Sequence, residues 1–323
     1  MIDIVTIAWG KETLENYFNI CLISLSSKKN SELISKYKIT INLICDFQDI
    51  SLIADYKEHI SQNKINLIYE KDYNDSLQTK YSKHTNYFVK NLNKFKNQYL
   101  IPLYPDAIVS YFFLETLIEY ILKKKEIDIF YLPGPKINSI ALKNLDFDKK
   151  KWNSEKNLSE LILKYLHSKM DYMTLNNNFF NNSPAWLLIK FKSFIIFNCF
   201  HMTPLCFKKN VIKESLSNHS LDVYLSQIAL NFKVYVFDNS NRIVWISYEN
   251  DPGHLSEFFK IKNFQESLNW IKAETNLSQR KIGINSYIVS KTNLNKLTKF
   301  FLKFIISYLI KIIFKFAQYR KIL

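Results

Sequence analysis

Apolar and polar positions alternate along the first 132 residues in a pattern that predicts five short strands separated by helices. The predicted strands are nearly continuous apolar runs: Ile2 to Ala8, Lys38 to Cys45, Ile65 to Tyr69, Gln98 to Leu103 and Asp128 to Leu132. Apolar residues at helical spacing predict helices over Thr13 to Ser26, Ile50 to Ser61, Lys80 to Phe95 and Ala107 to Lys123. Buried strands that alternate with helices are typical of a mostly parallel sheet flanked by helices, so the predicted fold class is α/β.

The second half of the chain is less regular. Helices are predicted near Asn157 to Lys169 and Leu221 to Leu230, and a pair of strands near Lys233 to Phe237 and Arg242 to Ser247. The apolar stretch Trp186 to Phe200 fits either a helix or a strand. Because neither a repeat nor a flexible linker is visible, we expect residues 1–275 to form one domain, followed by a distinct segment, 276–323.

The C-terminal segment differs from the rest of the chain in its charge. The whole chain has a net charge of +15, of which residues 1–274 carry +5 and the last 49 residues, which contain no Asp or Glu, carry +10. On a helical projection five lysines occupy one side over about 160°, and apolar residues occupy the other: Lys296, Lys299, Lys303, Lys311 and Lys315 against Phe301, Ile305, Ile306, Leu309, Ile312, Ile313 and Phe316.

Within residues 293–323 the longest uncharged run, Phe304 to Ile310, is far shorter than the ~20 residues of a membrane-spanning helix. We therefore expect residues 293–323 to form an amphipathic helix that lies on anionic membrane lipid. A helix packed on the body of the protein, or on a partner protein, is the alternative.

Composition excludes several classes of protein. The four glycines allow neither a Gly-x-Gly-x-x-Gly turn nor a P-loop. The four cysteines are widely spaced, which favours buried thiols in a reducing compartment over disulfides or a zinc site. With only +5 on the first 274 residues, no nucleic-acid partner is expected. Met1 is not followed by a secretory signal, so a cytoplasmic location is expected.

Ligands of open α/β sheets bind beyond the carboxyl ends of the strands. The residues predicted at those ends are Trp9 and Gly10 after the first strand, Asp46 after the second and Asp106 after the fourth. Asp46 suits a hydrogen bond to a base or ribose, and it equally suits the N-cap of the next helix. Asp106 suits Mg²⁺, Mn²⁺ or a sugar hydroxyl, and also the N-cap of the helix predicted from Ala107.

Three stretches resemble glycosyltransferases of the GT-A fold, which use nucleotide-diphosphate sugars. Tyr99 to Ile121 resembles the region that carries the Asp-x-Asp motif; Tyr104 replaces the first Asp, and Ser110 follows as in related bacterial sequences. FHMTPLCF, residues 200–207, resembles a Phe-His-Leu-His-Pro-Leu stretch in which Thr203 replaces the second His. SLDVYL, residues 220–225, resembles the acidic stretch that follows it.

The resemblance implies a Rossmann-like GT-A domain over residues 1–275. It implies an enzyme that transfers a sugar to a glycan or lipid-linked acceptor in bacterial surface-polysaccharide synthesis, at the cytoplasmic face of the inner membrane. The implied site comprises Asp106 and His201 as ligands of Mn²⁺ or Mg²⁺, His201 and Asp222 as catalytic groups, and Trp9, Asp46, Asp106 and Ser110 as substrate contacts.

Each implied role has a plainer alternative. His201 lies among apolar residues and suits a hydrogen-bonded core histidine, and Asp222 suits a helix cap. Replacement of the first Asp of the motif by Tyr104 also suits a membrane-bound scaffold that keeps the fold without catalysis.

Overall fold

A computed structural model of the protein divides it into two compact units. The first unit comprises Met1–Tyr131, Asp146–Ser154 and Thr203–Tyr235, and the second comprises Leu132–Leu145, Glu155–Met202 and Val236–Leu323. The structure describes residues 1–71, 80–144, 155–167, 186–191, 193–200, 202, 204–212, 219–238, 240, 243–249, 275–290, 295, 297–298, 300–302 and 304–308.

The strands and helices, in chain order, have the following bounds. The strands are β1 (Ile2–Ile7), β2 (Thr40–Asp46), β3 (Ile65–Glu70), β4 (Tyr99–Pro102), β5 (Ala107–Val109), β6 (Ile129–Tyr131), β7 (Lys136–Asn138), β8 (Trp186–Lys190), β9 (Phe194–Cys199), β10 (Pro204–Lys208), β11 (Val234–Val236), β12 (Trp245–Glu249) and β13 (Tyr287–Ser290). The α-helices are α1 (Lys11–Asn16), α2 (Leu22–Leu25), α3 (Lys28–Lys36), α4 (Ile50–Ala54), α5 (Lys57–Gln62), α6 (Lys80–Lys90), α7 (Phe113–Lys123), α8 (Glu155–Tyr165), α9 (Leu221–Ile228) and α10 (Leu277–Gly283). A π-helical turn, Tyr17–Cys21, joins α1 to α2.

The first unit is built on a sheet that has seven strands among the described residues, in the order β11-β6-β10-β4-β1-β2-β3. β1 runs parallel to β2 and to β4, and β2 runs parallel to β3. β10 runs antiparallel to both β4 and β6. This mixed, mostly parallel sheet with flanking helices confirms the predicted fold class.

The order of the strands determines where a ligand can bind. After β1 the chain forms β2 and β3 on one side of it, and β4 then returns to the other side of β1. Adjacent parallel strands whose connections leave in opposite directions open a crevice at their carboxyl ends. In this protein that position lies between β1 and β4, where Trp9 and Asp106 follow the strands.

All five strands predicted in the first 132 residues are confirmed, and their bounds shift by two residues at most. The helix predicted from Ala107 is wrong at its start: Ala107–Val109 is the buried strand β5, and α7 begins at Phe113. Apolar residues at positions 107–109 fit a helix and a buried strand equally well, and the β-branched pair Ile108 and Val109 favours the strand.

The second unit contains two small groups of strands among the described residues. β12 pairs in parallel with β7, while β8 and β9 form an antiparallel hairpin whose second strand also pairs with β13. The stretch 186–200 is therefore a strand hairpin. Both strands predicted near residues 233–247 are present, as β11 and β12, but they do not pair with each other: β11 lies in the large sheet of the first unit and β12 pairs with β7.

α10 and β13, from the segment predicted to follow the domain at residue 276, both belong to the second unit. The Asn276 side chain accepts a hydrogen bond from the Gln279 N–H (2.8 Å), and the Gln279 side chain accepts one from the Asn276 N–H (3.0 Å). This capping box starts α10.

The four cysteines are free and buried, as predicted. Burial raises the pKa of the Cys206 thiol well above its usual range. A thiol with a raised pKa stays protonated and behaves as a small apolar residue.

One carboxylate joins three strands of the large sheet. Asp128, directly before β6, accepts hydrogen bonds from Lys208 Nζ (2.9 Å) and from the backbone N–H of Lys233 (3.0 Å). Burial by itself raises the pKa of Asp128, but these two hydrogen bonds and the nearby lysine charges lower it below its usual range. Asp128 is therefore ionised in the folded protein around neutral pH.

We expect Asp128→Asn to lower the free energy of unfolding by about 1–2 kcal/mol at pH 7. A carboxyl whose pKa is lowered by folding contributes its stability above about pH 4 and loses it as the pH falls through its folded pKa. The difference between variant and wild type should therefore shrink towards pH 3. Urea unfolding at both pH values measures this, and a penalty of equal size at both would contradict it.

Candidate functional site

The register of β1 and β2 brings two of the predicted site residues to the same level. Ile7 pairs with Ile44, so Trp9 and Asp46, each two residues further on, leave the sheet side by side. The third carboxyl end is that of β4, where Leu103 N–H donates to the carbonyl of Val5 (2.9 Å) before the chain turns at Tyr104. Trp9, Asp46 and Tyr104 thus lie at one edge of the sheet, which we call the carboxyl edge.

Asp46 is almost fully buried, at 1% exposure, and both of its oxygens accept hydrogen bonds from helix α6. Tyr87 OH donates to Oδ1 (2.6 Å), and Lys83 Nζ donates to Oδ2 (3.0 Å). Within the described chain, no side-chain capping bond is present on the turn that follows Asp46. Through Lys83 and Tyr87, the carboxylate therefore holds α6 against the carboxyl edge.

Lys83 and four rings form a continuous polar and aromatic surface. The Lys83 ammonium lies 5.0 Å from the centre of the Trp9 ring and 5.4 Å from that of Tyr87. The Trp9 ring meets Tyr87 edge-on (6.2 Å) and lies 6.4 Å from His84, which stacks on Tyr104 at 5.3 Å. Trp9, His84 and Tyr104 are partly exposed, and the Lys83 cation lies over the Trp9 ring.

Gly10 leaves open space beside Trp9. Its φ of +75° lies in the region that favours glycine, and apart from Gly10 and its two chain neighbours no heavy atom of the described residues lies within 4 Å of the position that a Cβ would occupy. Its N–H donates to Oδ2 of the buried Asp49 (2.8 Å), which holds the start of α1 in place.

Asp106 lies in a tight turn between β4 and β5. Ala107 N–H donates to the carbonyl of Tyr104 (3.0 Å), which closes a β-turn with Pro105 at its second position and Asp106 at its third. The proposed alternative role of Asp106 as a helix N-cap is wrong, because a strand follows it. The side chain is partly exposed, at the end of β4, where the strand order places the crevice.

Ser110 is buried directly after β5. Its carbonyl accepts hydrogen bonds from the Asn30 side chain (3.4 Å) and from the Phe113 N–H (3.0 Å), and these bonds fix the start of α7. The Val109 N–H next to it donates to Ser24 Oγ (3.2 Å). These contacts give the backbone at Ser110 a structural role.

Two predicted catalytic groups lie outside the residues that the structure describes. His201 is one, and the side chain of Asp222 is the other, although the backbone of Asp222 lies in the first turn of α9.

Two buried thiols, those of Cys45 and Cys21, lie near carboxylates of the carboxyl edge, and neither can act as a nucleophile. Burial, followed by the nearby Asp49 and Asp46 carboxylates, raises the pKa of Cys45 well above its usual range. Burial and the Asp106 carboxylate do the same to the pKa of Cys21. Neither thiol ionises near neutral pH, so neither supplies a nucleophile.

The site depends on residues that the sequence pattern did not single out. Lys83, His84 and Tyr87 were predicted only as part of an amphipathic helix. Lys83 and Tyr87 are four residues apart and therefore share one face of α6. A lysine and a tyrosine on the same face of a helix could have indicated a buried acidic partner. The sequence does not identify that partner, because Asp46 lies 37 residues away from Lys83.

Comparison with known proteins leaves the family open. No protein-family model matches the chain, and no curated protein matches its sequence. Solved structures that align with it include S. aureus TarS 1–349 in complex with UDP-GlcNAc, at 11% identity and a TM-score of 0.43 over 87% of this chain and 70% of that chain. The complex of the same protein with UDP aligns equally well over 87% of this chain and 69% of that chain. HddC from Yersinia pseudotuberculosis aligns at 11% identity and a TM-score of 0.38, over 84% of this chain and 99% of that chain. Similarities at this level assign neither a family nor an activity.

Proposed function

We propose that the protein is a glycosyltransferase that binds a nucleotide-diphosphate sugar at the carboxyl edge of its large sheet. One observation carries this proposal: partly exposed aromatic rings and a carboxylate on a tight turn lie at the crevice that the strand order creates between β1 and β4. A flat base or a sugar ring suits the faces of Trp9 and Tyr104. The sequence resemblance of residues 99–121 to GT-A enzymes supports the same conclusion.

In this proposal each residue has a defined task. Trp9 contacts the donor directly, while Asp46 acts as a positioning residue that holds Lys83 and Tyr87 against Trp9. Asp106 contacts the donor sugar or a cation that accompanies the diphosphate. Ser110 remains proposed as a substrate contact and Asp222 as the general base, and His201 remains proposed as the second ligand of the cation or as a hydrogen-bond donor to the leaving group.

The transfer step joins the acceptor to the sugar and releases the nucleotide. The oxygen of an acceptor hydroxyl attacks the anomeric carbon, and the bond from that carbon to the diphosphate oxygen breaks with its electron pair. The nucleoside diphosphate leaves, and the hydroxyl proton passes to a carboxylate base, the proposed role of Asp222. The acceptor proposed for this step is a glycan or a lipid-linked glycan of bacterial surface-polysaccharide synthesis.

A divalent cation is proposed to bind at this site together with the donor diphosphate. Among the residues that the structure describes, no group of three or more His, Cys, Asp and Glu side chains is placed to hold a metal ion. Mg²⁺ at phosphate sites is commonly held by one or two carboxylates together with phosphate oxygens. Asp106 would hold such an ion, and the ion would offset the negative charge of the leaving diphosphate.

A panel of nucleotide sugars tests the donor site. At a concentration about 100 times its Kd, the right donor should stabilise the protein by about 2.7 kcal/mol, which corresponds to a rise in Tm of about 5 °C. Trp9→Ala should abolish most of this rise, whereas Phe191→Ala, which changes an exposed aromatic residue of the second unit, should retain it. If no nucleotide or nucleotide sugar raises the Tm, with or without Mn²⁺, the proposal is wrong.

A further inference from the structure

The C-terminal helical residues of the second unit expose a dense row of large apolar side chains. Six of them are between 51% and 66% exposed, namely Leu297, Phe300, Phe301, Phe304, Ile305 and Tyr308, and together we call them the apolar ridge. Three of its rings stack at four-residue spacing: Phe300 lies 6.3 Å from Phe304, and Phe304 lies 6.2 Å from Tyr308. Elsewhere in the described parts of the chain, exposed large apolar residues are scattered.

The opposite side of the same helical stretch anchors the ridge to the protein. Ile306 is 6% exposed and packs with Ile196, Phe200 and Ile288, and Leu302 packs against this cluster. Ser307 Oγ adds a hydrogen bond to the carbonyl of Ile284 (3.2 Å). This side of the stretch is therefore packed against the second unit, and the apolar ridge is its exposed side. Ile306, which the sequence predicted on the lipid side, belongs to the packed side.

A second aromatic feature adjoins the same apolar cluster. At the tip of the hairpin between β8 and β9, Phe191 is 44% exposed and stacks on Phe194 at 4.4 Å. Phe194 in turn packs against the cluster that holds Ile306. The exposed Lys190 precedes Phe191 in the sequence.

The charge of this part of the chain selects between possible partners. Residues 275–323 contain ten Lys and Arg residues and no Asp or Glu. A second copy of the chain would bring ten more positive charges in the same segment, whereas a surface of anionic lipid is complementary to this segment, at about 1 kcal/mol per basic residue near the headgroups. Aromatic side chains beside lysines are the combination that interfacial helices use. Among the described residues, no helix is long and apolar enough to cross a bilayer.

We propose that the apolar ridge inserts into the headgroup region of an anionic bilayer. The helix is held to the second unit by Ile306 and Leu302, so the ridge docks the protein at a defined face. In a cell this would place it on the cytoplasmic face of the inner membrane. This inference does not depend on the proposed transferase activity.

Vesicle co-sedimentation of the full chain tests the proposal. Wild-type protein should bind vesicles of phosphatidylcholine containing about 30% phosphatidylglycerol and should bind pure phosphatidylcholine weakly, and high salt should reduce binding to the anionic vesicles. The double variant Phe300→Ser/Phe304→Ser should bind at least about tenfold more weakly, because it removes two inserting rings. The matched control, Leu122→Ser/Leu230→Ser, changes two exposed apolar residues of the first unit and should bind as the wild type does.

All four side chains in these variants are exposed, so the Tm of each variant should stay near that of the wild type and confirm folding. Equal vesicle binding by the ridge variant and the wild type would overturn the proposal, as would equal binding to neutral and anionic vesicles. Light scattering without lipid tests the rival occupant. A wild-type dimer that Phe300→Ser/Phe304→Ser converts to a monomer would show that the ridge binds a second copy.

Discussion

Replacing Asp106 by asparagine should reduce the transfer rate by about a hundredfold or more, while leaving the stability nearly unchanged. The loss is expected because a charged group that stabilises the transition state typically contributes at least this factor. The stability should be retained because Asn suits turn positions as well as Asp does, and the bond from Ala107 to Tyr104 that closes the turn uses only the backbone. The rate is measured as release of nucleoside diphosphate from the donor that gives the largest rise in Tm.

The control for this experiment is Asp55→Asn, which changes an exposed carboxylate at the end of α4. Mn²⁺ should strengthen donor binding by the wild type, and Asp106→Asn should lose that increment if Asp106 holds the cation. If Asp106→Asn keeps the full rate, Asp106 is not a catalytic residue. If the wild type binds donors yet releases no nucleoside diphosphate, the scaffold interpretation is favoured.

Breaking the ion pair between Lys83 and Asp46, next to Trp9, should lower the free energy of unfolding more than breaking an exposed ion pair does. Lys83→Met leaves the Asp46 carboxylate, 1% exposed, without its cation, and an uncompensated charge at such a position typically costs about 3–5 kcal/mol. The variant should also bind the donor poorly, because Lys83 no longer holds the Trp9 ring. Urea unfolding measures the first effect, and the donor-induced rise in Tm measures the second.

Two comparisons make the result specific. Lys123→Met breaks an exposed pair with Glu119, four residues away on α7, and should cost less than about 0.5 kcal/mol although that pair is shorter, at 2.7 Å. The double variant Asp46→Asn/Lys83→Met should recover much of the stability lost by Lys83→Met, since it removes the unpaired charge. A loss of equal size in the single and double variants would show that packing, and not charge, is responsible.

Much of the first unit could be predicted from the sequence, because its strands are apolar runs that are buried on both faces in a mostly parallel sheet. β1 and β2 are buried along nearly their whole length. Most residues of such strands are apolar, so the strands can be recognised from the sequence. The local pattern was not sufficient to assign the secondary structure of residues 107–109. Three apolar residues after a turn fit two structures, and only their position in the fold made them a strand.

The candidate site was predictable in part for the same reason. Trp9, Asp46 and Asp106 lie at or shortly after the ends of apolar strands, so their place at the carboxyl edge followed from the sequence. The role of Asp46 did not follow, because its partners Lys83 and Tyr87 lie in a helix that is distant in the chain. The sequence predicted a ligand contact there, and the structure shows a buried carboxylate that holds two other site residues.

The sequence by itself determined the α/β class, the strands that carry the site, and the concentration of positive charge after residue 274, since each of these depends on residue type and local order. Only the tertiary structure decided which side of the C-terminal helical stretch is exposed and which cation pairs with Asp46. Both depend on contacts between segments that are far apart in the chain, and local patterns of polarity do not record them. A helical projection shows that an apolar face exists, but the packing of Ile306 against the second unit shows which part of that face stays exposed.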